Sequence, residues 1–231
     1  MLITHTTTVA EIASAVPSSV RVFRRLGIDF CCGGQLPLAF VCEQQGLALA
    51  DVAAAIEAAA AGAAPDDRDW TRAPLGELID HIIESHHTPL RSALPRVESM
   101  AARVLNVHGA GGSHLARLNA IVTDLVEELQ AHMHKEEIVL FPAIRALDLD
   151  RQGILPSASP IAAMEHEHAR VVALLSELRT ITGGYRPPKS ACETYRALYY
   201  GLSELEARMH VHAHLENDIL FPRALAAVNV R

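Results

Sequence analysis

The chain has 231 residues, and its 20 basic and 27 acidic side chains give a formal net charge of −7. This length suits one domain, or a main domain with a small partner, and half of the residues are apolar, so a sizeable core is available. The acidic balance argues against a protein that binds nucleic acid or an anionic membrane surface, because such proteins usually present a basic patch.

Signals for export or membrane insertion are missing from the sequence pattern. The stretch 1–16 has neither a basic start nor a sustained apolar run. No segment reaches the roughly 18 strongly apolar residues of a membrane span, since Asp51 and Glu57 interrupt the alanine-rich run 48–64. Four cysteines do not make a disulfide framework in a chain of this length. We therefore expect a cytoplasmic protein with no membrane contact.

The first part of the chain predicts a small helical unit. Apolar side chains recur at helical spacing from Val9 to Phe23, with a break at Pro17. Two further helices are predicted over about 36–46 and 49–61. The stretch 62–67 is typical of a linker. We therefore predict a small helical domain over 1–65 and a second domain over 70–231.

The second domain contains four long segments with helical periodicity. Glycine- and proline-containing stretches separate them, and none alternates apolar and polar residues as a strand would. The segments lie at roughly 74–105, 114–147, 160–182 and 190–228. The predicted fold class is therefore all-α: an up-down-up-down four-helix bundle preceded by a small helical N-terminal domain.

An eleven-residue motif occurs in both the second and the fourth helix of the bundle. The pattern H-x-H-x-E-x-x-x-L-F-P begins at His132 and begins again 80 residues later, at His212. The two helices are therefore copies, which indicates a helical hairpin duplicated in tandem.

Histidine is in excess, with thirteen in the chain, and ten of them fall in four clusters, one on each predicted bundle helix. Positions i and i+4 share a helix face, so each repeat can present one imidazole and one carboxylate together. Projected on a helical wheel, one histidine of each of the last three clusters, with the two glutamates, falls on the apolar stripe. These inward residues are His132, Glu136, His168, His212 and Glu216.

The wheel is less decisive for the first helix of the bundle. The apolar stripe from Leu75 to Val97 is centred nearer His86 than His87, although Pro89 can shift the register by kinking the helix. The remaining clustered histidines, His134 and His166 among them, are predicted to be solvated or to support the site from outside.

Four inward histidines and two glutamates are unfavourable in an apolar bundle unless a cation compensates them, because buried carboxylates need partners. One such His-x-x-x-Glu pair is usually only a surface contact. Two pairs in a repeat, with two further inward histidines, instead predict a site for two metal ions. Mixed imidazole and carboxylate ligands favour iron over manganese or zinc.

These motifs resemble the hemerythrin-like RIC family (repair of iron centres; YtfE/ScdA). The resemblance covers nearly the whole chain, including the stretch 26–34 with its Cys-Cys-Gly-Gly turn. It implies the metal ligands His87, His132, Glu136, His168, His212 and Glu216. In the family the first ligand lies six residues after the histidine of a His-Ile-Ile segment, which selects His87. His86, His134, His166 and His214 do not correspond to family ligands, and whether any of them binds metal stays open.

The resemblance also implies a cofactor and a function. The cofactor is a pair of non-haem iron ions bridged by carboxylates and an oxo group. The function is repair of iron–sulfur clusters damaged by nitric oxide or oxidative stress, by reduction of NO to N2O at the di-iron site, by iron donation, or by both. The partners are then damaged iron–sulfur proteins, with NO or O2 as small ligands; the reductase activity and a homodimer are left open.

Adjacent Cys31 and Cys32 have two interpretations. They are small buried residues at a tight turn, or a thiolate pair that hands electrons, NO or iron to the bundle. A thiol at a helix start is easily ionised, and the resemblance favours this catalytic role.

Two other functions compete with repair. One is a hemerythrin-like carrier or sensor of O2 or NO, in which Cys31 and Cys32 are incidental. The other is an iron store or donor without redox turnover. The dominant reaction, electron donor, client proteins and domain docking are not specified by the residues.

Overall fold

The computed structural model describes residues 3–30, 34–62, 68–109, 113–148 and 159–229. The regular secondary structure of these ranges is helical, apart from an isolated β-bridge between Thr8 and Pro37. The predicted all-α class, with a helical bundle and a helical region before it, is confirmed. Cys31, Cys32 and most of the predicted linker lie outside the described residues, and the domain boundary stays a prediction.

The described residues of the N-terminal region contain four short helices. They are α1 (Val9–Ala15), α2 (Ser19–Leu26), α3 (Leu38–Gln45) and α4 (Leu49–Ala61). Helix α1 starts at a capping box, because the Thr8 hydroxyl accepts the Glu11 N–H and the Glu11 carboxylate accepts the Thr8 N–H. Within the described part of the chain no single helix is long and apolar enough to cross a membrane, and α3 with α4 pass only as a pair bent by 120°. The cytoplasmic location stays a prediction.

The rest of the described chain forms long helical rods. They are built from α5 (Leu75–Ile82), α6 (Thr88–His108), α7 (Ser113–Lys135), α8 (Phe141–Asp148), α9 (Ser159–Ile181), α10 (Glu193–His214) and α11 (Phe221–Asn229). Three of the junctions contain no loop. There the helices are joined by π turns, in which an N–H bonds to the carbonyl five residues back: a first (Ile83–His87), a second (Glu136–Leu140) and a third (Leu215–Leu220).

The structure divides into two compact units, and α10 passes from one into the other. The unit Asp80–Met209 has an apolar core to which α6, α7, α9 and α10 all contribute. Leu94, Leu125, Leu175 and Leu202, one from each of these helices, are completely buried in it. This shared core is what the apolar stripes of the four predicted helices require.

The other unit combines Met1–Ile79 with His210–Arg231. In it α1 packs against the third π turn. The Arg223 guanidinium donates hydrogen bonds to the carbonyls of Trp70 and Ala73, at 2.8 and 2.5 Å. Close packing also explains Gly34, because a Cβ there would lie 2.5 Å from the Phe30 carbonyl oxygen. The N-terminal helices and the C-terminal end of the chain are therefore folded together.

Candidate metal centre

The unit Asp80–Met209 places two of the predicted histidine ligands beside the carboxylate of a third predicted ligand, Glu136. His132 and Glu136 lie one turn apart, where α7 passes into the second π turn, and His87 ends the first π turn. One Glu136 oxygen lies 3.2 Å from Nε2 of His132, and the other lies 3.3 Å from Nε2 of His87. All three side chains are buried. The two oxygens of Glu136 therefore face two different imidazoles.

His168 on α9 completes this half of the site. Its Nε2 lies 3.0 Å from Nε2 of His132, and the two rings meet edge to face. Two imidazole nitrogens at this distance can share one proton, or they can direct both lone pairs at one cation. The second arrangement is the one that metal coordination uses.

Helix α10 and the third π turn supply the second repeat. His212 and Glu216 are completely buried, with Nε2 of the histidine 3.3 Å from Oε2 of the glutamate. Each of five buried residues offers a ligand atom, and these five atoms all lie within 4.8 Å of one another. They are His132, Glu136, His168, His212 and Glu216. His87 is not in this group of five, but it touches the group through Glu136.

The outward-facing nitrogens of two of these imidazoles are held by carboxylates. Nδ1 of His87 lies 2.7 Å from Glu137, which also accepts a hydrogen bond from Arg91. Nδ1 of His132 lies 3.0 Å from Glu167, which also accepts one from Lys135. A carboxylate on Nδ1 fixes the tautomer that leaves the Nε2 lone pair facing the site, as in many metal centres.

Glu137 and Glu167 have no role in the site predicted from the sequence. Each of them lies next to a predicted ligand in the chain, Glu136 or His168, so a helical wheel turns it about 100° away from the inward face. The signal that could have found them is a glutamate beside each inward residue together with a nearby basic side chain.

The electrostatics of the site favour a cation. Burial opposes protonation of His132, but Glu136 and Glu167 outweigh it and raise its pKa. Burial likewise opposes ionisation of Glu137 and Glu167, but hydrogen bonds from histidine and from Arg91 or Lys135 lower the pKa of both carboxyls. They are therefore ionised at neutral pH, and positive charge at the imidazoles is stabilised.

His86 lies in the opposite kind of environment. It is buried, and burial lowers its pKa to about 3, with further contributions from His81, His87 and Arg208. Positive charge at His86 is therefore unfavourable, whereas His87 contacts Glu136. Position 87, which the resemblance selects, suits a cation better than position 86, which the wheel favours.

The donors fit a metal ion. Glu136 and Glu216 are completely removed from solvent, and in an apolar interior such carboxylates need a compensating charge. The imidazole and carboxylate atoms that converge on them are the mixed nitrogen and oxygen ligands that suit iron. The site is therefore a candidate iron centre.

The remaining histidines of these clusters do not join the group. His134 and His166 are exposed. His214 is buried, with Nδ1 2.7 Å from Asp218 and its ring edge-on to Phe30 at 5.8 Å. Phe30 of the N-terminal region packs against this end of α10, so the off-stripe position of His214 does not leave it in solvent.

Two protein-family models match the chain. Residues 78–224 match the hemerythrin HHE cation binding domain. Residues 5–60 match ScdA_N, described as a domain of unknown function.

Curated relatives that carry the name "Iron-sulfur cluster repair protein YtfE" match nearly the whole length of the chain. The relative from Pectobacterium atrosepticum is 39% identical over 216 residues, which are 93% of this chain and 95% of the relative. The relative from Musicola paradisiaca is 38% identical, over 93% of this chain and 94% of the relative. The relative from Escherichia coli O81 is 41% identical, over 94% and 95%.

Proposed function

We propose that this chain, which belongs to the YtfE family of iron–sulfur cluster repair proteins, holds two iron ions and uses them to restore clusters damaged by nitric oxide or oxidants. The observation that carries the proposal is the buried group of imidazoles and carboxylates whose ligand atoms lie within 4.8 Å of one another. The proposed ligands are His87, His132, Glu136, His168, His212 and Glu216.

The number of ions is argued from the donors. Four imidazoles and two carboxylates that each reach both ions would give each of two ions two nitrogen and two oxygen ligands, which would leave positions for exchangeable ligands. The two oxygens of Glu136 already face different imidazoles, as a carboxylate that bridges two ions does. By the repeat, Glu216 would have the same role, and the resemblance implies an oxo group as a further ligand of the two ions.

When bound, the two ferrous ions supply two electrons and open positions, which suffice for coupling two NO molecules to N2O with two protons and release of water. The chain's own residues exclude bulk water, since Phe141 stacks on His87 with ring centroids 5.6 Å apart and Phe221 is completely buried. Ionised Glu137 and Glu167 hold protons at Nδ1 of His87 and His132, so these imidazoles keep one orientation.

A single-turnover measurement separates reduction of NO from simple binding. The protein loaded with ferrous iron is mixed with anaerobic NO, and we expect about one N2O for each pair of ferrous ions oxidised, as the two-electron balance requires. The unloaded protein is the control. Reversible NO binding without N2O above background would contradict the reductase and favour a carrier or sensor.

Repair itself is tested on an iron–sulfur hydratase inactivated by NO. The iron-loaded protein should restore its activity, and ferrous iron alone is the control for simple iron supply. We propose that Cys31 and Cys32 hand electrons, NO or iron to the bundle during repair. The Cys31→Ser and Cys32→Ser variants should therefore reactivate the hydratase more slowly. Unchanged reactivation by both variants would leave these cysteines structural.

Glu137 is expected to position His87 without binding metal. Glu137→Gln removes the charge that holds Nδ1 of His87, and we expect iron affinity to fall about 10- to 100-fold, the usual effect of losing such a partner. Glu128→Gln is the control, because Glu128 pairs with Arg170 and touches no ligand in the described contacts. Competition with a ferrous chelator measures the change, and equal affinities of the two variants would contradict the role.

A further inference from the structure

Each of the three π turns lies at a proposed ligand and is followed by a proline. His87 ends the first turn, Glu136 begins the second, and Glu216 lies in the third. In all three cases a proline stands two residues after the last residue of the turn. These prolines are Pro89, Pro142 and Pro222.

The hydrogen bonds that close the turns are specific. The residue before each proline donates its N–H to the carbonyl five residues back, whereas an α-helix would use the carbonyl four back. Phe141 donates to the carbonyl of Glu136, and Phe221 donates to that of Glu216. Two of the wide turns are therefore closed on the backbone of the two proposed carboxylate ligands.

Proline explains why the helix widens at these places. Its ring clashes with the carbonyl four residues earlier, and it has no N–H to bond that carbonyl. The carbonyls concerned belong to Ser85, Ile138 and Asp218, and each of these residues lies inside a π turn. Opening the turn makes room for the proline ring.

The wide turn keeps a series of side chains on one face. In an α-helix, a side chain four residues further along points about 40° further around the helix axis, so three such steps rotate the side chain by about 120°. A π turn holds about one extra residue, which removes roughly 100° of this rotation. In both repeats, four side chains spaced four residues apart across the π turn are each at most 2% exposed. They are His132, Glu136, Leu140 and Ile144 in the first repeat, and His212, Glu216, Leu220 and Ala224 in the second.

In the first rod, which consists of α5, the first π turn and α6, the extra residue decides which histidine faces inward. The buried series reaches Ile82 in steps of three or four, crosses the π turn with a step of five to His87, and continues to Leu90 and Leu94. A step of four would place His86 there instead.

We propose that Pro89, Pro142 and Pro222 are positioning residues of the metal centre: each stabilises the π turn that brings one proposed ligand into register. This inference rests on the proposed function, because it takes His87, Glu136 and Glu216 as ligands. Replacing a proline with alanine restores the N–H and favours an ordinary α-helical turn, which rotates the ligand relative to the rest of the rod.

The chain offers a matched control. Pro95 lies inside α6, which continues as an α-helix on both sides of it. A proline is therefore not sufficient to open a π turn, and Pro95 serves to separate loss of a proline from loss of a proline at a proposed ligand. Pro95→Ala changes the same residue type in the same kind of helix without a proposed ligand at the turn.

The test compares Pro142→Ala, Pro222→Ala and their double variant with Pro95→Ala. Ferrous iron affinity and ions bound per chain are measured with a competing chelator, and helical content and the thermal midpoint are measured without iron. We expect affinity to fall about 10- to 100-fold for the first three, with helical content retained, and to stay unchanged for Pro95→Ala. A double variant that binds two ions as tightly as the unmodified chain would overturn the inference. Failure of the unmodified chain to bind two ions would instead overturn the proposed function.

A second measurement separates a change in which histidine faces the site from a general loss of stability. In the unmodified chain His87→Ala should lose iron and His86→Ala should not. In the Pro89→Ala background the α-helical register brings His86 inward, so His86→Ala should become the more harmful change. The same order of effects in both backgrounds would overturn the role of Pro89.

Discussion

Replacing Glu136 or Glu216 with glutamine should remove iron from the protein while leaving its helices in place. Each carboxylate is completely buried, and each lies within 3.3 Å of an imidazole nitrogen of the site. Glutamine keeps the shape but not the negative charge that balances a cation. After anaerobic loading with ferrous iron, we expect elemental analysis to find at most one ion per chain in either variant and two in the unmodified protein.

Glu206→Gln is the matched control for this experiment. Glu206 is also a buried glutamate on α10, 4% exposed, but it pairs with Arg179 and is not one of the five clustered residues. This variant should keep both ions. Full retention of two ions in Glu136→Gln and Glu216→Gln would refute the proposed ligand set, whatever the activity of the variants.

His87→Ala should lose iron, whereas the neighbouring change His86→Ala should not. Both imidazoles are buried, so the two substitutions leave comparable cavities. His87 contacts Glu136 and is held at Nδ1 by Glu137, while burial and nearby positive charge keep His86 neutral, with a pKa of about 3. Iron stoichiometry and the absorption spectrum of the loaded protein measure the difference.

Thermal unfolding of the iron-free His86→Ala and His87→Ala variants checks that both are folded and similarly stable. Removing either buried imidazole should lower stability by about 1 to 3 kcal/mol, within the range for a cavity of this size. If His86→Ala lost iron and His87→Ala kept both ions, His86 and not His87 would be the ligand on this helix, which would contradict the proposed site.

The fold was predictable because its signals are local and repeated. Apolar side chains at helical spacing predicted helical structure from Val9 to Phe23 with a break at Pro17, two further N-terminal helices and the four long segments of the second domain. The observed bounds of the two further helices and of the long segments differ from the predicted ones by only a few residues. Pro17 separates α1 from α2, as expected of a residue that cannot donate within a helix. The duplicated His-x-His-x-Glu motif likewise placed an imidazole and a carboxylate on one face of two helices.

The supporting residues were less predictable. Glu137 and Glu167 lie off the inward face of their own helices, and each acts on a histidine of a different helix. His214 is buried by the N-terminal region, so its exposure could not be judged from its own helix. These contacts join residues far apart in the chain, and a wheel drawn for one helix has no information about its neighbours.

The sequence by itself determined that thirteen histidines would be divided unequally, with one imidazole on each rod and a glutamate on two of them facing the core. This followed from the i, i+4 geometry of an ideal helix and from the repeat. The choice between His86 and His87 was different, because the wheel assumes 100° per residue and therefore favours His86. The first π turn inserts an extra residue, and Glu136 and Glu137 on the adjoining rod meet His87 on both sides of its ring. The contacts of His87 come from the tertiary structure alone, because neither the wide turn nor the packing of a neighbouring helix is contained in a periodic pattern that assumes 100° per residue.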